Sequence, residues 1–165
     1  MTKQTDTTRR TFLAKTSVLS GLALPAVHAA ESNTIRIGLV GAGGRGTGAA
    51  INALSVKNGP VQLTAMGDVM PKKLSDSYDR LKSQHAAAVD VPPERRFLGY
   101  DSYRKVMDAL KPGDVVILGT PPAFRWPMFQ YAIERGLHCF MEKPVTVDGP
   151  TSKKMFELGK RSVEK

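Results

Sequence analysis

From residue 35 onward, short apolar runs alternate with longer segments whose apolar positions recur at helical spacing. Ile35-Arg36-Ile37-Gly38-Leu39-Val40 predicts a strand, and residues 47–54 a helix. Val61-Gln62-Leu63-Thr64-Ala65-Met66-Gly67-Asp68 predicts a second strand, followed by a helix that Pro71 opens and that runs to about residue 88. Arg96-Phe97-Leu98-Gly99 is a short strand candidate, and Asp101 is placed to cap a helix over residues 102–110. Asp114-Val115-Val116-Ile117-Leu118-Gly119 reads as a strand buried on both faces. Residues 124–135 predict a helix stopped by Gly136, Leu137-His138-Cys139-Phe140-Met141 a further strand, and Asp148-Gly149-Pro150 the start of a last helix. Strands alternating with helices imply an α/β fold, a doubly wound parallel sheet with right-handed crossovers. On such sheets ligands bind outside the carboxyl ends of the strands. Gly41, Asp68, Thr120-Pro121-Pro122 and Glu142-Lys143-Pro144 all follow predicted strands at that edge.

The first strand runs into Gly41-Ala42-Gly43-Gly44-Arg45-Gly46, which fits G-x-G-x-x-G and makes the sheet Rossmann-type. Gly41 permits the tight turn, Gly43 lets backbone approach a pyrophosphate, and Gly46 lets helix pack on strand. The N-terminus of the helix that follows offers N–H groups and partial positive charge to phosphates, and Gly44 and Arg45 in the turn are expected to bind the cofactor with them. Asp68 lies 22 residues after Gly46, where a carboxylate accepts hydrogen bonds from the adenosine ribose and repels a 2′-phosphate. NAD is therefore favoured over NADP. Lys72 and Lys73 work against that preference, but a helix opening at Pro71 is expected to send them into solvent. The alternative reading of Asp68 is a helix cap after a strand.

Ahead of the first strand, Thr8-Arg9-Arg10-Thr11-Phe12-Leu13-Ala14-Lys15 precedes an uncharged apolar run over residues 16–27. This resembles a twin-arginine export signal, with Ala14 standing between the Phe-Leu pair and Lys15 as a departure from the pattern. The run falls short of the roughly twenty residues that a membrane helix needs. Val27-His28-Ala29 suits a signal peptidase, so residues 1–29 are expected to be removed after Ala29. The expected location is periplasmic, with the twin-arginine translocase as a transient partner. The competing reading is an ordinary amphipathic N-terminal helix.

Length and charge adjust this picture. A chain of 165 residues with 41% hydrophobic and 24% charged residues has room for one globular domain. The formal charge of +9 raises nucleic acid as a partner, but it divides equally, +3 each, among residues 1–30, 31–150 and 151–165. The central part is thus only mildly basic, its charges alternate in sign, and no nucleic-acid partner is expected. The single cysteine, Cys139, excludes an internal disulfide and reads as a packing residue; no metal-ligand spacing occurs. His85 and His138 read as a surface helix position and a strand position.

Taken together, the glycine turn, Gly119-Thr120-Pro121-Pro122 after a buried strand, and Gly136-Leu-His-Cys-Phe-Met-Glu142-Lys143-Pro144 resemble the N-terminal domain of Gfo/Idh/MocA oxidoreductases. The resemblance implies that Lys143 is the catalytic residue, orienting the substrate hydroxyl and favouring loss of its proton; a desolvated ammonium suits that task. It implies that Glu142 holds Lys143, that the Lys143–Pro144 bond is a candidate for the cis form, and that Thr120 and Pro121 line the cofactor. The substrate class is a sugar or polyol. Relatives carry a histidine a few residues after the Thr-Pro pair; here Ala123 and Met128 stand nearby. Arg125-Trp126-Pro127 is placed to shape that loop, or to pack beneath it through a buried Trp126.

The resemblance also implies a second, C-terminal α/β substrate domain that this chain does not carry, and a homo-oligomer at full length. The expected division is a signal peptide at 1–29, a dinucleotide-binding domain at 30–150, and at 151–165 the start of a helix linking to that second domain. The chain by itself is expected to bind NAD and turn over no substrate. Two alternatives stand beside the oxidoreductase: an NAD-dependent glycosidase resembling the α-N-acetylgalactosaminidases, and a non-catalytic nucleotide-binding module.

Overall fold

Every predicted strand enters one sheet. A computed structural model of the chain describes residues 33–164; the leader, His28 and the cleavage point after Ala29 lie outside the described residues. The elements are β1 (Ile35–Val40), α1 (Gly44–Leu54), β2 (Val61–Asp68), α2 (Pro71–Gln84), β3 (Arg96–Leu98), α3 (Ser102–Asp108), β4 (Val115–Leu118), α4 (Arg125–Glu134), β5 (His138–Met141) and α5 (Gly149–Val163). Short 3-10 turns at Pro93–Arg95 and Pro122–Phe124 precede β3 and α4.

All neighbouring strands pair in parallel, in the order β3-β2-β1-β4-β5. The chain winds outward from β1 through β2 to β3, then returns through α3 to β4 and winds the other way. This is the Rossmann arrangement, and its topological switch point lies between β1 and β4. Both sheet faces are covered, which explains why the central strands are apolar almost without interruption. Ile37, Leu39, Leu63 and Met66 pack with Ala49, Ala50, Leu74 and Leu81 beneath α1 and α2. Val40, Ala65, Val116 and Leu118 pack with Val106, Met107 and Ala132 beneath α3 and α4. Small residues set the spacing on both sides: Ala49 and Ala50 bring α1 onto the sheet, and a Cβ at Gly38 would lie 2.8 Å from Val106 of α3.

Three boundaries differ from expectation. The first helix begins at Gly44, three residues early, because the glycine turn is itself the first helical turn; glycine's poor helix propensity conceals this in the sequence. α2 stops at Gln84 although alanines follow. There the chain must turn so that Val89 can pair beside Leu63, with the Leu63 N–H donating to the Ala88 carbonyl at 2.9 Å. Tertiary pairing overrides local preference. α3 ends at Asp108, and the Asp101 carboxylate makes no cap; it pairs with Lys105 at 2.9 Å instead. Asp148, by contrast, caps α5 at the expected start of the last helix, accepting from the Thr151 N–H at 2.7 Å.

Among the described residues, no helix is long and apolar enough to cross a membrane, and no group of three or more His, Cys, Asp or Glu side chains could hold a metal ion.

Candidate functional site

At the switch point the loops after β1 and β4 are locked together through three glycines. Gly41 has φ +88°, a conformation that side chains rarely adopt, and a Cβ there would lie 2.7 Å from the Thr120 nitrogen. A Cβ on Gly46 would overlap the Gly41 carbonyl oxygen, and one on Gly119 would lie 2.6 Å from the Gly46 Cα. The turn, the first turn of α1 and the end of β4 are therefore in direct backbone contact. Gly43 differs from all three. An added Cβ there meets nothing within 4 Å, so no internal packing explains the missing side chain.

Gly43 is also the N-cap of α1, with no side-chain cap and no acid in the first turn. The N–H groups at the start of the helix and their partial positive charge thus face open space, the setting in which an anion binds. Arg45 is exposed beside them. That space is the mouth of a cleft of about 600 Å³, well within the range of ligand sites. Of the predicted site residues, Gly41, Gly43, Arg45, Asp68, Thr120, Pro121, Glu142 and Lys143 line it; Gly44 borders a smaller adjoining hollow, and Gly46 lies buried behind the wall.

Asp68, at the end of β2, is 8% exposed. Its Oδ2 accepts from the Ala42 N–H at 2.7 Å and its Oδ1 from the Met70 N–H at 2.8 Å. It does not cap α2, whose N-cap is Met70 with no side-chain cap, but it orders the turn before that helix and latches the glycine turn. A carboxylate has about four lone-pair sites, so capacity remains for a ligand in the cleft. Lys72 and Lys73 are both exposed, but they diverge. Lys72 turns along α2 to Asp76 at 2.8 Å, which raises its pKa chiefly by that hydrogen bond, whereas Lys73 stands at the cleft edge. Successive helical residues point about 100° apart, and this separates the pair.

The Glu142-Lys143-Pro144 segment follows β5, and its Lys143–Pro144 bond is cis. Two expectations need correction. Glu142 does not hold Lys143: both line the cleft, but the pair is absent from the ion pairs of the described residues. Lys143 is also exposed at the cleft rim, so the desolvation expected of its ammonium is not supplied by the described residues.

Arg125, expected with Trp126 and Pro127 to shape the loop after Thr120, does so from inside the protein. It is buried at 3% exposure; its Nε donates to the Thr120 carbonyl at 2.8 Å and its Nη1 to the carbonyls of Glu142 and Pro144, the latter at 2.7 Å. Burial pulls its pKa down, and the Glu142 charge acts against that. The Thr120 hydroxyl donates to Met128 Sδ at 3.5 Å. Trp126 does not pack under the loop; it lies against α5, with Lys154 Nζ 4.1 Å from its ring centroid. His85 caps α2 and His138 is exposed on β5. Burial pushes the Cys139 thiol up to about 12, which leaves it unreactive at neutral pH.

Comparison with known proteins agrees with this geometry. The profile of GFO_IDH_MocA, described as an oxidoreductase family with an NAD-binding Rossmann fold, matches residues 35–164. A glycosyl hydrolase family 109 protein from Shewanella pealeana is 28% identical over 130 residues, 78% of this chain and 26% of that protein. An inositol 2-dehydrogenase from Corynebacterium glutamicum is 27% identical over 129 residues, 77% of this chain and 33% of its own. The apo crystal structure of scyllo-inositol dehydrogenase from Lactobacillus casei superposes with a TM-score of 0.58 at 25% identity, covering 81% of this chain and 34% of that one. A structure of the same dehydrogenase contains NAD(H) and scyllo-inositol. The chain thus spans about a quarter to a third of the length of these relatives. It belongs to the Gfo/Idh/MocA oxidoreductase family, of which it carries the NAD-binding Rossmann domain.

Proposed function

We propose that this chain binds NAD in the cleft and serves as the cofactor half of an exported oxidoreductase acting on a sugar or polyol hydroxyl. The observation that carries the reading is Gly43: a glycine with open space where its side chain would be, capping an uncapped helix at the mouth of the cleft. Gly43, Gly44 and Arg45 would hold the pyrophosphate, Asp68 the adenosine ribose, and Thr120 and Pro121 the nicotinamide end. The nicotinamide, when bound, supplies a hydride acceptor. Lys143 Nζ would orient the substrate hydroxyl and, as a cation beside it, favour loss of its proton, lowering the barrier to oxidation at that carbon. The carboxylate at Asp68 favours NAD over NADP by repelling a 2′-phosphate, and Lys73 at the cleft edge tempers that preference.

The relative from Shewanella pealeana favours a second reading, a glycosidase that uses bound NAD for transient oxidation. Product analysis on the full-length protein separates the two. NAD and a panel of polyols, sugars and glycosides are supplied; accumulating NADH marks the oxidoreductase, and free sugar without net NADH marks the glycosidase. Neither product from a protein that binds NAD marks a non-catalytic module. Lys143→Ala is expected to lower kcat by roughly 10²–10⁴-fold in either enzyme, and unchanged turnover removes Lys143 from the chemistry. Export rests on Arg9-Arg10 and the apolar run that follows. A double Arg9→Lys, Arg10→Lys variant is expected to stay in the cytoplasm, and its appearance in the periplasm contradicts the twin-arginine route.

A further inference from the structure

Arg125 opens α4 between two aromatic residues, yet it is almost fully buried. A buried guanidinium is costly unless its N–H groups find acceptors. Here the acceptors are three backbone carbonyls: Thr120 after β4, and Glu142 and Pro144 after β5. The last two flank Lys143 directly. No other side chain among the described residues joins these two loops by hydrogen bonds, and a planar fork with fixed donor directions is the group suited to do so.

We propose that Arg125 is the positioning residue for Lys143. By tying the carbonyls on both sides of Lys143 to the Thr120 loop, it sets where the ammonium stands at the cleft. The role in orienting Lys143 towards a nicotinamide rests on the cofactor reading above; the clamp between the loops does not. Arg125 hydrogen-bonds to neither the pyrophosphate loop nor Asp68, so its loss is expected to disturb Lys143 and the Thr120 loop while leaving the proposed pyrophosphate and adenosine-ribose contacts in place.

The test uses this chain with Arg125→Met, which keeps the apolar stem, and Arg125→Lys, which keeps the charge and part of the donor set. Far-UV circular dichroism checks folding. Without nucleotide, Arg125→Met is expected to speed amide hydrogen exchange about tenfold in residues 120–124 and 142–147, the loss of hydrogen bonds worth ~1.4 kcal/mol. Amides of β2 and α2 keep their rates. On reductive ¹³C-methylation of lysines, the Lys143 resonance, assigned through Lys143→Arg, is expected to move on NAD addition in the parent chain. In Arg125→Met it moves less than half as far, while NAD affinity stays within about threefold because the contacts proposed for Gly43, Gly44, Arg45 and Asp68 are separate from the clamp. Arg125→Lys lies between the two, and it carries the same readouts if the Met variant does not fold.

Parent-like exchange in both loops overturns the proposal, and so does a Lys143 resonance that responds to NAD in full without Arg125. A parent chain that ignores NAD removes the cofactor reading alone. Hydrogen exchange then still decides the clamp.

Discussion

Gly46→Ala is expected to destabilise the domain by about 3 kcal/mol or more, because the new methyl group would occupy the position of the Gly41 carbonyl oxygen. The obstruction is backbone, which cannot rotate aside as a side chain can. Relief requires α1 to move away from the β1 turn, and Gly119 presses on the same point from β4. For a domain of this size the loss corresponds to a drop in Tm of roughly 10 °C. Gly43→Ala provides the contrast. Its methyl group meets nothing, so stability should remain within about 0.5 kcal/mol, while the approach of a pyrophosphate is obstructed and NAD binding weakens. Thermal melts and nucleotide titrations of the two variants separate a glycine needed for packing from one needed for a ligand. Equal melting temperatures for Gly46→Ala and the parent chain would contradict the packing described for the switch point.

Asp68→Ala is expected to damage both stability and binding. The buried N–H of Ala42 and the Met70 N–H each lose a charged acceptor, at a cost of about 2–4 kcal/mol in total. The latch on the glycine turn is lost with them, and so is the carboxylate proposed for the ribose. NAD affinity should fall tenfold or more, at about 1.4 kcal/mol per decade. The discrimination against NADP should narrow as well, since the repelling charge is gone and Lys73 remains at the cleft edge. Denaturant midpoints and calorimetric titrations with both nucleotides give the two halves of this prediction. A variant with the parent's midpoint and the parent's preference would remove Asp68 from both roles.

The alternation of strands and helices, the order of site segments along the sheet edge and the glycine turn were legible in the residues because each rests on a local signal: β-rich runs, helical spacing, and glycine where backbone must come close. Asp68 was legible as a polar residue at a strand end, although its bond to Ala42, 26 positions away, was not. Arg125 was legible as shaping the loop after Thr120, but its tie to the loop after β5 was hidden for a related reason. Its partners are carbonyl oxygens at positions 120, 142 and 144, and every residue has one, so nothing in side-chain identity marks them. The family's missing histidine drew notice to Ala123 and Met128, while the group that joins the loops stood between them. The role that the resemblance implied for Glu142 was misjudged: the two neighbours share the cleft lining yet form no ion pair among the described residues. The stop of α2 at Gln84 was hidden by three alanines whose helix preference yields to the pairing of Val89 with Leu63.

On the function proposed above, the cleft beside Gly43 and Asp68 holds NAD. Isothermal titration of residues 30–165 with NAD and NADP tests it most directly. The account predicts saturable binding of NAD and weaker binding of NADP, with the NAD heat abolished or strongly reduced in Gly43→Ala at unchanged stability. No binding of either nucleotide at millimolar concentration would contradict it.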